Sequence, residues 1–195
     1  MVDIQSAFIA RSELVLGGQK SGKSRRAELL ARDWLHAAPD RHAVLIATAQ
    51  PWDGEMVERI ARHQRDRAQR VPGMQTVEEP LHLAEAISRL SHPDTLIVVD
   101  CLTLWLTNVL MPANATSDVS VESSEHNVPI TLAIQNATGP VVLVGNEIGL
   151  GVIPMGQQVR AFVDALGSLN QAVAGVCQRV TLMVAGLPCR LKDSP

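Results

Sequence analysis

Residues 13–30 read "ELVLGGQKSGKSRRAELL", an apolar run, a glycine-bounded turn and a stretch of good helix formers in succession. Gly17, Gly18, Gln19, Lys20, Ser21, Gly22, Lys23 and Ser24 fit the pattern G-x-x-x-x-G-K-S/T. The pattern carries weight here because a strand-like segment precedes it and a helix-like one follows. Glycines let the backbone curl until successive N–H groups face phosphate oxygens. Lys23 then reaches the β and γ phosphates, and the Ser24 hydroxyl ligates Mg²⁺. Residues 17–24 are therefore expected to bind the phosphates of a nucleotide.

Outward from this turn, "AVLIAT" (43–48), "TLIVVD" (95–100), "PVVLVG" (140–145) and "VTLMVAG" (180–186) repeat the character of 13–18. Each is continuously apolar, as a strand buried on both faces reads, and helical composition lies between several of them. The alternation predicts an α/β fold with an open, mainly parallel sheet flanked by helices. "CRLK" (189–192), close behind the last run, predicts an antiparallel edge strand. Residues 1–11 read as an N-terminal extension to one domain, 12–195. Residues 111–127, "MPANATSDVSVESSEHN", read as a mobile surface loop, and a helix before 140 has only "PITLAIQNATG" to draw on.

A net charge of −3 and an aromatic content of 3% with no tyrosine argue against a nucleic-acid-binding surface. No apolar run reaches the ~18 residues a membrane span needs, and the start lacks a signal-peptide pattern, so a soluble cytoplasmic protein is expected. Cys101, Cys177 and Cys189 fit neither a disulfide framework nor a zinc site and are expected to be packing residues. The sequons at Asn114 and Asn136 have no use in such a protein.

Two further features bear on chemistry. A P-loop needs a second carboxylate for its metal, and Asp100, closing "LIVVD", is the candidate, although a strand-end aspartate also caps helices. Read as a helix, "EMVERIARHQRDR" (55–67) places Arg59, His63 and Arg67 at i, i+4 and i+8, a cationic stripe with no carboxylate between its members.

Taken together, "GGQKSGKSRRAE", "IATAQPWDGEMVERIARHQRDR" (46–67), "VDCLTLWLTNVL" (99–110), "NEIGLGVIP" (146–154), "RAFVDALGSLNQ" (160–171) and "VAGLPCRLK" (184–192) resemble, in order and spacing, the bifunctional adenosylcobinamide kinase / adenosylcobinamide-phosphate guanylyltransferase family of cobalamin biosynthesis. The likeness spans most of the chain apart from the first dozen residues and 111–139. It implies a RecA-like P-loop fold and two successive reactions. ATP or GTP phosphorylates the aminopropanol hydroxyl of adenosylcobinamide, and GMP from GTP is then transferred to the new phosphate through a guanylylated histidine.

The resemblance places that histidine at His63. Arg59 and Arg67 would then disfavour the imidazolium and neutralise a triphosphate alongside. It also implies that Thr48, Ala49 and Gln50 border the nucleotide and that Glu79, with Glu78 as a rival, accepts hydrogen bonds from guanine. Thr103 would reach the metal or phosphates. Asn146 and Glu147, with Gly149 and Gly151, would shape the corrinoid or phosphate surroundings, while Arg160, Asp164 and Asn170 would touch substrate, fix helix packing or make a subunit contact. Many relatives carry an acid where this chain has Met155. A ring-like homo-oligomer, a trimer, is the implied assembly. Two other readings stay open, a single-function small-molecule kinase with no need of His63 and a RecA-like ATP-driven binding protein.

Overall fold

The computed structural model describes residues 9–112, 124–151 and 154–194. In chain order its elements are β1 (Ser12–Gly17), α1 (Lys23–Ala37), β2 (His42–Ala47), α2 (Gly54–Arg70), β3 (Gln75–Glu78), α3 (Leu83–Leu90), β4 (Thr95–Asp100), α4 (Leu102–Leu110), α5 (Ser124–Asn136), β5 (Val141–Val144), α6 (Gln157–Val176), β6 (Arg179–Val184) and β7 (Leu187–Asp193). The strands form one sheet in the order β3-β2-β4-β5-β1-β6-β7. Every neighbouring pair is parallel except β6 and β7, which run antiparallel.

Alternate residues of the central strands supply two cores. Leu14, Leu16, Ile97, Val99, Val141 and Leu143 pack on one face with α3 to α6, whereas Val15, Leu96, Val98, Val142 and Val144 pack on the other against Ala27, Leu30 and Ala31 of α1. Both faces are thus dry, which is why these strands read as unbroken apolar runs.

β3 has no such run because it is a polar edge strand, "QTVE", with only Val77 half-buried. Its pairing with β2, from Val44↔Gln75 to Ala47↔Glu78, could not be read from hydropathy. Of the expected loop 111–127, residues 113–123 lie outside the described residues, as does the sequon start at Asn114, and 124–127 open α5 instead. Ile130, Ala133, Ile134 and Ala137 give that segment a buried stripe at helical spacing, so packing overrides the polar start and Pro129. Residues 1–8 of the expected extension also lie outside the described residues. Cys101 and Cys177 are buried as expected, but Cys189 is exposed on the edge strand β7.

A buried charge fixes the first strand beneath the phosphate loop. Glu13, 1% exposed, accepts from Arg26 of α1 at 2.7 and 2.9 Å and from the Thr181 hydroxyl at 2.8 Å, with Arg179 3.6 Å away. A carboxylate at that depth is tolerated only when so paired.

Candidate active site

The carboxyl ends of β1, β4 and β5 lie at one edge of the sheet, the edge where open α/β folds place their ligands. Gly17 leaves β1 with φ 150, and a Cβ there would stand 2.6 Å from both the Met183 carbonyl oxygen and Ser21 Oγ, so only glycine fits the turn. Gly22, at φ 102, closes the loop and starts α1, whose first residues are Lys23 and Ser24. A helix N-terminus pointed out of a glycine turn is an anion site by construction. Lys23 is 8% exposed, and its Nζ donates to the Gly18 carbonyl at 2.6 Å. Burial lowers its pKa, while Cys101 and Asp100 act against that shift.

A cavity of about 650 Å³ opens over this loop, lined by Gln19 to Arg25 on one side and by α2 on the other, with Asp100 and Asn146 on its floor. α2 begins at Asp53, whose side chain caps the Met56 N–H at 2.7 Å. It turns Arg59, Arg62, His63, Asp66 and Arg70 to the cavity. Of the expected 59-63-67 line, Arg59 and His63 face this cavity, while all three residues line a second, smaller one. Eight residues at 3.6 per turn drift by roughly 80°. That carries Arg67 round to the sheet side, where it is buried and donates to Thr76 Oγ1 at 3.3 Å. Arg62 and Arg70 join Arg59 and His63 on this face, which also carries the carboxylates of Glu55, Glu58 and Asp66. The i+3 and i+7 spacings from Arg59 and His63 were the signal for both residues.

The His63 pKa is lowered, mainly by burial and then by Arg59 and Arg62, against the pull of Asp100 and Asp66. The expected direction stands, but desolvation leads and Arg67 plays no part. Cys101 also lines the cavity, yet burial pushes its thiol up to about 12, so it offers no thiolate at neutral pH.

A second cavity, about 300 Å³, shares Ser24, Arg59, His63 and Asp100 and adds Ala49, Met56, Val57, Ile60, Arg67, Glu78 and Leu104. Glu78 lines it. Glu79 turns away, its Oε1 accepting from the Leu81 and His82 N–H groups at 3.2 and 2.9 Å at the start of α3, which holds its carboxyl below the usual range. Thr48 is fully buried and joins the two strand ends, its hydroxyl donating to Cys101 O and accepting from Cys101 N, each at 2.8 Å. Thr103 Oγ1 accepts from Asn146 N at 3.0 Å. Neither hydroxyl faces the cavities, so the expected nucleotide contacts of Thr48 and Thr103 give way to bracing of the site. Gln50 lines neither cavity; its carbonyl accepts from Trp52 N at 3.0 Å.

Asn170, 4% exposed on α6, donates to Asn146 O at 3.0 Å, and Glu147 N donates to Gly17 O at 3.2 Å. Asn146 is thereby clamped from α4 and α6. Arg160 donates to the carbonyls of Pro154 and Met155 at 3.1 and 2.5 Å, and Asp164 is exposed. Among the described residues no group of three or more His, Cys, Asp or Glu side chains forms a metal cage. No described helix is long and apolar enough to cross a membrane.

A parallel sheet, a glycine phosphate loop and a strand-end aspartate define a P-loop nucleotide-dependent protein. The fold is similar to that of the flagellar accessory protein FlaH from Methanocaldococcus jannaschii, at a TM-score of 0.52 and 11% identity over 95% of this chain and 80% of that one. The sequence profile described as cobinamide kinase / cobinamide phosphate guanyltransferase matches residues 13–191, and the chain belongs to that family. It is 44% identical to the bifunctional adenosylcobalamin biosynthesis protein CobP of Pseudomonas aeruginosa, over 94% of this chain and 98% of the relative. The proteins of the same description named CobU in Escherichia coli and Salmonella typhimurium are 33% and 35% identical, each over 92% of this chain and 98% of the relative.

Proposed function

We propose that the chain phosphorylates the aminopropanol hydroxyl of adenosylcobinamide with ATP or GTP, then transfers GMP from GTP to the new phosphate through a guanylylated His63. The observation that carries this reading is one cavity bounded by both the phosphate loop and His63. In the kinase step the loop amides and Lys23 hold the triphosphate while its γ-phosphoryl group moves directly to the hydroxyl. In the second reaction a neutral nitrogen of His63 attacks the α phosphorus; a P–N bond forms, the bond to the bridging oxygen breaks and pyrophosphate leaves. A phosphate oxygen of adenosylcobinamide phosphate then displaces the imidazole, giving adenosylcobinamide-GDP and free His63. Arg59 and Arg62 offset the charge of the approaching triphosphate.

Glu78, rather than Glu79, is the carboxylate free to accept from a guanine base, in a cavity whose other walls include Met56, Val57, Ile60 and Leu104. The Ser24 hydroxyl and Asp100 carboxylate are hard oxygen donors facing one cavity, the pair Mg²⁺ takes when it also binds substrate phosphates. Bound there, Mg²⁺ would neutralise charge on the phosphate oxygens. Asp100→Asn is expected to move the Mg²⁺ dependence of turnover about tenfold or more to higher concentration with a smaller change in nucleotide affinity. An unchanged Mg²⁺ curve would move the metal ligand elsewhere. A cytoplasmic location and a trimer complete the proposal, and light scattering at three times the 21.0 kDa chain mass checks the trimer.

The direct test is incubation with GTP labelled at the α phosphate, denaturation and a search for protein-bound label. A phosphoramidate should lose label in acid and keep it in mild base. Protein that takes up none fits the single-function kinase instead. The rate of labelling also has a signed pH dependence, because only neutral imidazole attacks and the His63 pKa is lowered. The rate is expected to stay level from about pH 8 to about 6.5, the ordinary histidine value, and to fall only below it. A fall beginning above that value would contradict the geometry around His63.

A further inference from the structure

We propose that Glu28 is a positioning residue for guanylylation: through Arg70 it holds the helix that carries His63 against the helix that carries Lys23 and Ser24. The inference rests on the guanylylation of His63 proposed above. Glu28 lies in α1 one turn beyond Ser24, on the same side of the helix. It is 3% exposed and lines neither cavity, so contact with substrate does not account for it. Its carboxylate accepts a hydrogen bond from Arg70, the last residue of α2. Arg70 follows His63 by seven residues, about two turns, and so stands on the same stripe. The Glu28–Arg70 pair thus ties the helix that carries Ser24 to the helix that carries His63.

The tie matters because α2 has little else to orient it. Arg67 is the one buried residue along its 17 positions, and Val57 is exposed. Among the described residues its other side-chain polar ties are the Asp53 cap on Met56 N, Arg67 to Thr76, and the distant 4.0 Å pair of Arg70 with Asp66 within the helix itself. An apolar seam would hold the helix whatever its charges. Here a buried carboxylate answering an arginine sets its position, and burying that carboxylate is costly unless it is answered. Burial raises the Glu28 pKa, opposed by Arg70 and Arg67, which marks the two arginines as its compensation.

Displacing a nucleophile by about 1 Å costs up to about a hundredfold in rate. Glu28→Gln keeps the shape and removes the charge. It is expected to slow labelling of the protein by α-labelled GTP about tenfold to a hundredfold, with kinase turnover within about threefold of wild type. Kinase turnover in the same sample reports folding and an intact phosphate loop. Should the glutamine variant not fold, Glu28→Asp carries the test, since it keeps the charge but shortens the reach; labelling should fall several-fold, again without loss of kinase turnover. Labelling at the wild-type rate in a folded variant, or equal loss of labelling and kinase activity, overturns the proposal. Peptide mapping of labelled wild-type protein separates the two readings. Label at a residue other than His63 sinks the underlying mechanism and this inference with it, whereas label at His63 in wild type and undiminished in Glu28→Gln sinks only the role of Glu28.

Discussion

Lys23→Ala is expected to abolish both phosphoryl transfer to the corrinoid hydroxyl and guanylylation of the protein, each by at least about a thousandfold, while the sheet stays folded. Lys23 is the cation that the phosphate loop itself supplies, at the first position of α1 and among the residues lining the larger cavity. Both reactions pass through states with a charged leaving group at the position Lys23 serves. In the kinase step charge grows on the β phosphate of the leaving nucleoside diphosphate as the γ-phosphoryl group departs, and in guanylylation it grows on the leaving pyrophosphate made of the β and γ phosphates. Charge stabilisation lost at that point is lost to both. Burial lowers the lysine pKa, and a triphosphate drawn alongside would restore preference for the charged amine, so the residue is matched to an anion. The fold should survive because α1 is anchored by Ala27, Leu30 and Ala31 and by the Arg26–Glu13 pair. Initial rates with γ-labelled ATP and α-labelled GTP, beside a melting curve, check the expectation. Kinase turnover at the wild-type level in that variant would remove the phosphate-site assignment.

What could be read from sequence divides along physical lines. The phosphate loop was legible because its chemistry is local: eight consecutive residues carry the turn, the cation and the hydroxyl. The buried strands were legible because strands dry on both faces carry few polar residues, and two that occur, Glu13 and Thr181, are paired to each other. β3 escaped because an edge strand has little to bury. At a strand's end, position alone does not say which way a side chain faces. Thr48 and Thr103 stand at the right edge of the sheet yet spend their hydroxyls on Cys101 and Asn146. The same limit separates Glu78 from Glu79, since adjacent residues at a strand end point apart. On α2 a drift of a fraction of a turn leaves Arg67 beside Arg59 and His63 in the second cavity only and brings Arg62 and Arg70 to the first. A count of i+4 steps does not show that angular difference. The pairing of Glu28 with Arg70 joins residues 42 apart and depends on how α1 and α2 meet. No spacing rule reaches that far.

His63→Ala should separate the two activities, and of all the substitutions this one divides the competing mechanisms most sharply. Kinase chemistry needs the loop, Lys23 and Asp100, and moves the γ-phosphoryl group straight to a hydroxyl without a protein nucleophile. It is expected to persist within about tenfold, the allowance reflecting the place of His63 in the cavity wall. Guanylyl transfer has no such freedom. Once the imidazole is gone, the cavity retains Cys101, whose thiol, pushed up to about 12, has almost no thiolate at neutral pH. It also retains Lys23, whose amine is tied to the Gly18 carbonyl at 2.6 Å and aimed at the β and γ phosphates, while label on a lysine such as Lys20 would be told apart by its site in peptide mapping. Protein-bound label from α-labelled GTP should therefore fall to background, and adenosylcobinamide phosphate should accumulate without conversion to the GDP form. The two assays on one folded preparation give four possible patterns, and only kinase retained with label lost agrees with a histidine relay. Label at the wild-type level would place the nucleophile elsewhere. Loss of both activities in a folded variant would mean that His63 serves the phosphate site as a whole, and the cationic face of α2 would then be a triphosphate clamp with no covalent role.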